Sequence, residues 1–200
     1  MSTEEQPLAT IMGLFEKLFF KSFQTCLLAG AAEPIYIPAG VRVDRQLASE
    51  INVSGLAEAA AYHRLFFRHD YLSSALHESA HWCIAGEQRR AQLDFGYWYS
   101  PDDRTEQQQQ LFEQAEVKPQ ALEWMLSVAC GQRFRISTDN LASAQGESRA
   151  FATAVSEQAQ RWCDRERLPS RGQQFILALA ARFNCPDVLS QHHFRLDKLG

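Results

Sequence analysis

His77-Glu78-Ser79-Ala80-His81 constrains this chain more than any other stretch. Two histidines separated by three residues converge on one ion only if the backbone between them is helical. At about 100° per residue, positions four apart lie about 40° apart around a helix axis, so their imidazoles point the same way. Glu78 projects beside them, within reach of a water or ligand on the ion. The flanks agree with a helix. Arg64-Leu65-Phe66-Phe67-Arg68 is strand-like, His69-Asp70 leads out of it, and a helix is expected from Tyr71 to Ala85 with Gly86 as its stop signal. Leu72, Leu76 and Cys83 are placed to face a core, while Ser73, Ser74 and Ala80 leave room around the imidazoles. Cys83 falls nearly opposite His81 on the helix and is not expected to be a ligand.

Two histidines leave a metal short of donors, so a third ligand has to come from elsewhere. The downstream carboxylates are Asp94, Glu106, Glu113, Glu116 and Glu123. Glu116 sits just ahead of a helix expected to begin at Pro119, because proline is tolerated in a first turn. A second helix bringing a glutamate beside an HExxH helix is a zincin-like arrangement. Glu116 is therefore the expected third ligand, with Glu113 the alternative, one turn away if the helix is continuous. His69, just before the metal helix, is a candidate for contacting substrate or a ligand. Tyr97, Trp98 and Tyr99 are candidates for an aromatic wall, with core packing as the plainer reading. His192 and His193 read as solvated residues of a polar tail.

The remaining pattern points to one α+β domain over residues 1–200, with helices around a small mixed sheet. Leu8, Ile11, Phe15, Leu18 and Phe19 recur at helical spacing and predict an amphipathic helix over 8–24. Glu33-Pro34-Ile35-Tyr36-Ile37-Pro38 is apolar between prolines and predicts a short edge strand. Residues 45–62 read as a surface insertion. Asp94 to Tyr99 is expected to be extended, followed by helices over 104–115, 119–130, 151–168 and 173–183. The formal charge of −4 gives no basic footprint for nucleic acid. The acidic start, and Glu16, Lys17 and Lys21 within the first apolar stretch, argue against a signal peptide or a membrane span. Cys26, Cys83, Cys130, Cys163 and Cys185 are odd in number, widely spaced and without a CxxC, which predicts buried free thiols and a cytoplasmic setting.

Chemistry alone leaves two enzyme readings. Three protein ligands with open positions suit zinc hydrolysis with Glu78 as base, and HExxH by itself favours a zinc metallopeptidase. Two histidines and a carboxylate also suit non-haem Fe(II). A metal-bearing module that binds the translation apparatus without catalysis is the third possibility. The wider sequence separates them. Ala75-Leu76-His77-Glu78-Ser79-Ala80-His81-Trp82-Cys83-Ile84-Ala85-Gly86 resembles the bacterial elongation factor P hydroxylase family, as do Leu93 to Tyr99 and Glu116 to Leu122. Shorter resemblances are Glu33 to Tyr36, Asp139 to Leu141 and Gln174 to Leu179. Residues 45–62 do not match. The resemblance implies oxygen-dependent hydroxylation of the β-lysyl-lysine side chain on elongation factor P, with Fe(II) as cofactor and O2 as co-substrate. It maps the metal ligands onto His77, His81 and Glu116, with Glu78 beside them. Glu78 is expected to move protons, and His69, Tyr97 and Tyr99 are the candidate substrate contacts from the residue pattern, with a satisfied histidine at a strand end and core packing as the plainer readings. The helical pattern offers no 2-oxoglutarate site of the β-barrel HxD type. The implied partner is β-lysylated elongation factor P, with no direct role for nucleic acid or membrane.

Overall fold

The computed structural model describes residues 5–53, 58–95, 105–137 and 149–199. The class is α+β, as expected: among the described residues, seven α-helices accompany a three-stranded mixed sheet. The chain divides into two compact units, Met1–Gly96 and Tyr97–Gly200.

The first unit holds α1 (Glu5–Phe23), β1 (Thr25–Ala31), β2 (Ile35–Ile37), α2 (Arg45–Ile51), β3 (His63–Arg68), α3 (Leu72–Ile84) and the single turn α4 (Glu87–Arg90). Gln24 adopts a left-handed backbone (φ 47°), and its amide donates to the Phe20 carbonyl at 2.8 Å, closing α1 as the chain enters β1. The sequence patterning assigns no element to residues 25–31. Beyond Thr25 the stretch has no β-branched residue, so its strand state comes from pairing rather than propensity.

The sheet order is β1-β3-β2, with β3 parallel to β1 and antiparallel to β2. Arg64 to Phe67 are all buried, the continuous pattern of a central strand covered on both faces. The edge position of β2 tolerates its flanking prolines, whose missing N–H groups break no interior ladder. α1 packs on β1, and α3 packs on β3. Their shared core is aromatic: the Trp82 ring centroid lies 5.0 Å from Phe15, 4.9 Å from Phe19 and 5.5 Å from Phe23. A second apolar cluster joins Ala31, Ile35, Ile37, Val43, Ile51 and Phe66. Just ahead of the stretch read as an insertion, Asp44 caps α2 by accepting the Leu47 amide at 2.8 Å, and α2 delivers Ile51 to that cluster.

The second unit holds α5 (Glu106–Ala129), α6 (Arg149–Asp164), α7 (Ser170–Phe183) and two 3-10 turns, Gln191–Phe194 and Leu196–Lys198. Here one expectation is corrected. The two helices predicted on either side of Pro119 are a single 24-residue helix with Pro119 inside it. Thr105 and Gln108 form a reciprocal capping box at its start. Pro119 removes one backbone donor, but the run from Pro119 to Ser127 is buried, and α5 packs along α6 and α7. That burial outweighs an interior proline costing about 3 kcal/mol. Gly172 of α7 is needed for close approach, since a Cβ there would sit 3.0 Å from both Leu122 methyls. Among the described residues no helix is long and apolar enough to cross a membrane.

Two stability predictions follow from the first unit. Phe15 is fully buried against Trp82, so Phe15→Ala lowers unfolding free energy by about 3–5 kcal/mol in urea melts. His63 accepts the Ala39 amide on Nδ1 at 3.1 Å, and burial, then the Arg90 charge, lower its pKa below the usual 6.5. A histidine held neutral in the fold binds fewer protons than in the unfolded chain. Its stabilising contribution is therefore complete above pH 6.5 and declines as pH falls below it. Urea midpoints taken between about pH 7.5 and 5.5 should decline, and His63→Gln should flatten the decline.

Candidate metal centre

α3 turns one face into the core through Ala75, Leu76, Ser79, Ala80, Trp82 and Cys83. This leaves His77, Glu78 and His81 half-buried on its other side. Cys83 is buried, as its helical position requires. The imidazoles meet as the spacing predicts: Nε2 of His77 and Nε2 of His81 are 3.0 Å apart, with the rings inclined at 69°. The two ring nitrogens lie at hydrogen-bonding distance, and they belong to a set of side chains that could hold a metal ion.

Glu78 and His81 line a shallow cleft within the first unit, with about 30 Å³ of enclosed space. Its walls include Leu65, Trp82 and Ala85, and its rim includes Tyr36, Arg89 and Asp94. The rim is tied together. Arg89 Nε donates to Asp94 Oδ2, and Arg89 Nη2 donates to Asp94 Oδ1 at 3.2 Å, a two-point fork. Asp94 also pairs by backbone with Tyr36 (2.8 and 3.0 Å), and the Tyr36 hydroxyl donates to the Arg90 carbonyl at 3.0 Å. Asp94, one of the carboxylates weighed as a ligand, thus holds the cleft wall. Sequence reasoning did not single out Tyr36 and Arg89, because an edge-strand tyrosine and a helical arginine carry no local mark of a cleft.

Glu116 lies in the second unit, in the middle of α5 rather than ahead of a helix. It is 3% exposed. Gln120, one turn on, donates to Glu116 Oε2 at 3.5 Å while binding Ser137 through both its carbonyl (2.7 Å) and its amide (3.1 Å). Gln120 thereby fixes the segment after α5 and stands over the Glu116 carboxylate, a role its polarity alone does not signal. Glu113 accepts from Gln109 at 3.2 Å and is half-buried, Glu123 is buried, and Glu106 opens α5. His69 lies exposed in the turn after β3, with φ 48° and its ring edge-on to Tyr71 at 5.3 Å. Tyr97, Trp98 and Tyr99 lie outside the described residues.

Residues 14–194 match the model of a family described as elongation factor P hydroxylase. Among curated proteins, the elongation factor P lysine hydroxylase of Haemophilus influenzae is 39% identical over 190 residues, covering 95% of this chain and 97% of that protein. The helical histidine pair and this nearly full-length match lead to one assignment: the chain belongs to the elongation factor P hydroxylase family.

Proposed function

We propose that this protein hydroxylates the β-lysyl-lysine side chain of elongation factor P in the cytoplasm, using O2 and an Fe(II) ion held by His77, His81 and Glu116. The observation that carries this reading is the His77–His81 pair, whose Nε2 atoms lie 3.0 Å apart on one helix of a chain that matches the elongation factor P hydroxylase family over residues 14–194. A carboxylate as deep as Glu116 is retained where a cation or several donors meet it, which supports its place as third ligand. Fe(II) when bound supplies one-electron chemistry toward dioxygen, sufficient to replace an aliphatic C–H by C–OH.

The chain's own residues have three tasks. The apolar walls from Leu65, Trp82 and Ala85 accept the methylene chain of the substrate and exclude water around the reacting carbon. Glu78, in the same cleft as His81, receives and returns protons. Placing one oxygen atom on substrate and reducing the other to water consumes two electrons and two protons, so an external reductant is a further reactant. His69, with Tyr97 and Tyr99, completes the proposed substrate contacts.

Intact-mass measurement of β-lysylated elongation factor P tests the reading. Iron-loaded protein, oxygen and a reductant should add one oxygen atom to the substrate, and His77→Ala or His81→Ala should lower that rate by more than about 100-fold with folding intact. Zinc-dependent cleavage of the substrate would instead establish a peptidase, and binding without mass change a non-catalytic module. Glu116→Ala should lose iron; full occupancy would reassign the third ligand. Gln120→Ala should weaken iron binding by about 10- to 100-fold through the freed carboxylate, read by metal titration.

A further inference from the structure

The second unit contains a separate cluster of metal-type donors. Cys185, Asp187 and His193 each offer one atom, and these atoms lie within 4.8 Å of one another. His193 Nε2 is 3.1 Å from Asp187 Oδ2, and Cys185 Sγ is 3.9 Å from Asp187 Oδ1. His192 stands beside this group rather than in it: its Nε2 is 3.5 Å from Asp187 Oδ2, but its ring packs against that of His193 with centroids 3.9 Å apart. Zinc bonds of about 2.0 Å to oxygen or nitrogen, set tetrahedrally, separate such ligand atoms by about 3.3 Å, close to the His193–Asp187 spacing, while Cys185 reaches the other carboxylate oxygen of Asp187.

The donors are also held by backbone and side-chain bonds that need no ion. Asn184, left-handed at φ 58°, ends α7, and the Cys185 amide closes that end on the Ala180 carbonyl at 2.9 Å. A turn follows, with the Ser190 amide on the Asp187 carbonyl at 2.8 Å. Ser190 Oγ lies 2.7 Å from His192 Nδ1, which leaves Nε2 of that ring as the atom facing Asp187. Phe194, next to His193, is fully buried, and its carbonyl accepts from Ser156 Oγ at 2.6 Å and Gln160 Nε2 at 3.0 Å. Both ends of the cluster are thus anchored to helices, which is the preorganisation that a tight site requires.

We propose that Cys185, Asp187 and His193 form a second site for a divalent ion of zinc type, stapling the C-terminal segment to the end of α7. One sulfur, one oxygen and one nitrogen suit zinc, and a thiolate and a carboxylate together balance its charge. The His77–His81 pair has no thiol on its side of α3, so the two sites differ in chemistry. Burial, then the Asp187 charge and hydrogen bond, raise the Cys185 pKa, so occupation releases a proton from the thiol.

Cobalt(II) and zinc, added separately to the full-length chain, test the proposal. Cobalt should give a thiolate-to-metal charge-transfer band, and the His77→Ala/His81→Ala variant should keep both that band and one equivalent of zinc. Cys185→Ser and Asp187→Asn should each lose the band and one zinc equivalent, and zinc should no longer raise their melting temperature. Circular dichroism of the metal-free variants checks that each is folded, and either one folded suffices. Absence of the band in the full-length chain, or its persistence in a folded Cys185→Ser or Asp187→Asn variant, would overturn the site.

Discussion

Trp82 is the packing contact that sets the direction of the paired imidazoles. It follows His81 directly on α3, and α1 surrounds its ring with Phe15, Phe19 and Phe23. Rotating α3 to point the histidines elsewhere would pull this ring out of that pocket. Fully burying an aromatic side chain contributes about 1.5–3 kcal/mol, enough to make one helical rotation the populated one. The buried β3 supplies the other restraint, since α3 packs directly upon it. The direction of the two imidazoles is therefore set by the hydrophobic core.

Much of this was legible in the sequence because the signals were periodic or geometric. The apolar recurrence from Leu8 to Phe19 marks α1, and the proline-bracketed Ile35–Ile37 marks an edge strand. The HExxH spacing marks both a helix and the face it presents. What escaped was decided by distant contacts. β1 is a strand because β3 lies beside it, although Leu27, Leu28 and Ala29 are as comfortable in a helix. Pro119 reads as a helix start by its own conformational preference, yet it lies inside α5, where burial along the helix prevails. Ile51 is one apolar residue among several in the stretch 45–62, and nothing local marks it as the one that reaches the core.

The same distinction applies to the candidate sites. His77 and His81 are four residues apart, so helix geometry alone brings them together. The fork of Arg89 on Asp94, and Gln120 between Glu116 and Ser137, depend on how the chain folds back on itself. His192 and His193 look like tail residues when read in order. The turn at Asp187 and the burial of Phe194 give them a fixed neighbour instead.

Pro119 carries a mechanical consequence of its own. Having no N–H, it cannot donate to the carbonyl of Ala115, four residues earlier, so the ladder of α5 lacks one rung in the turn that contains Glu116. Bending stiffness in a helix comes from those rungs, and any flexing of this 24-residue rod concentrates where one is missing. The carboxylate accordingly sits in the turn of α5 where Pro119 interrupts the backbone ladder, held there by packing rather than by that rung.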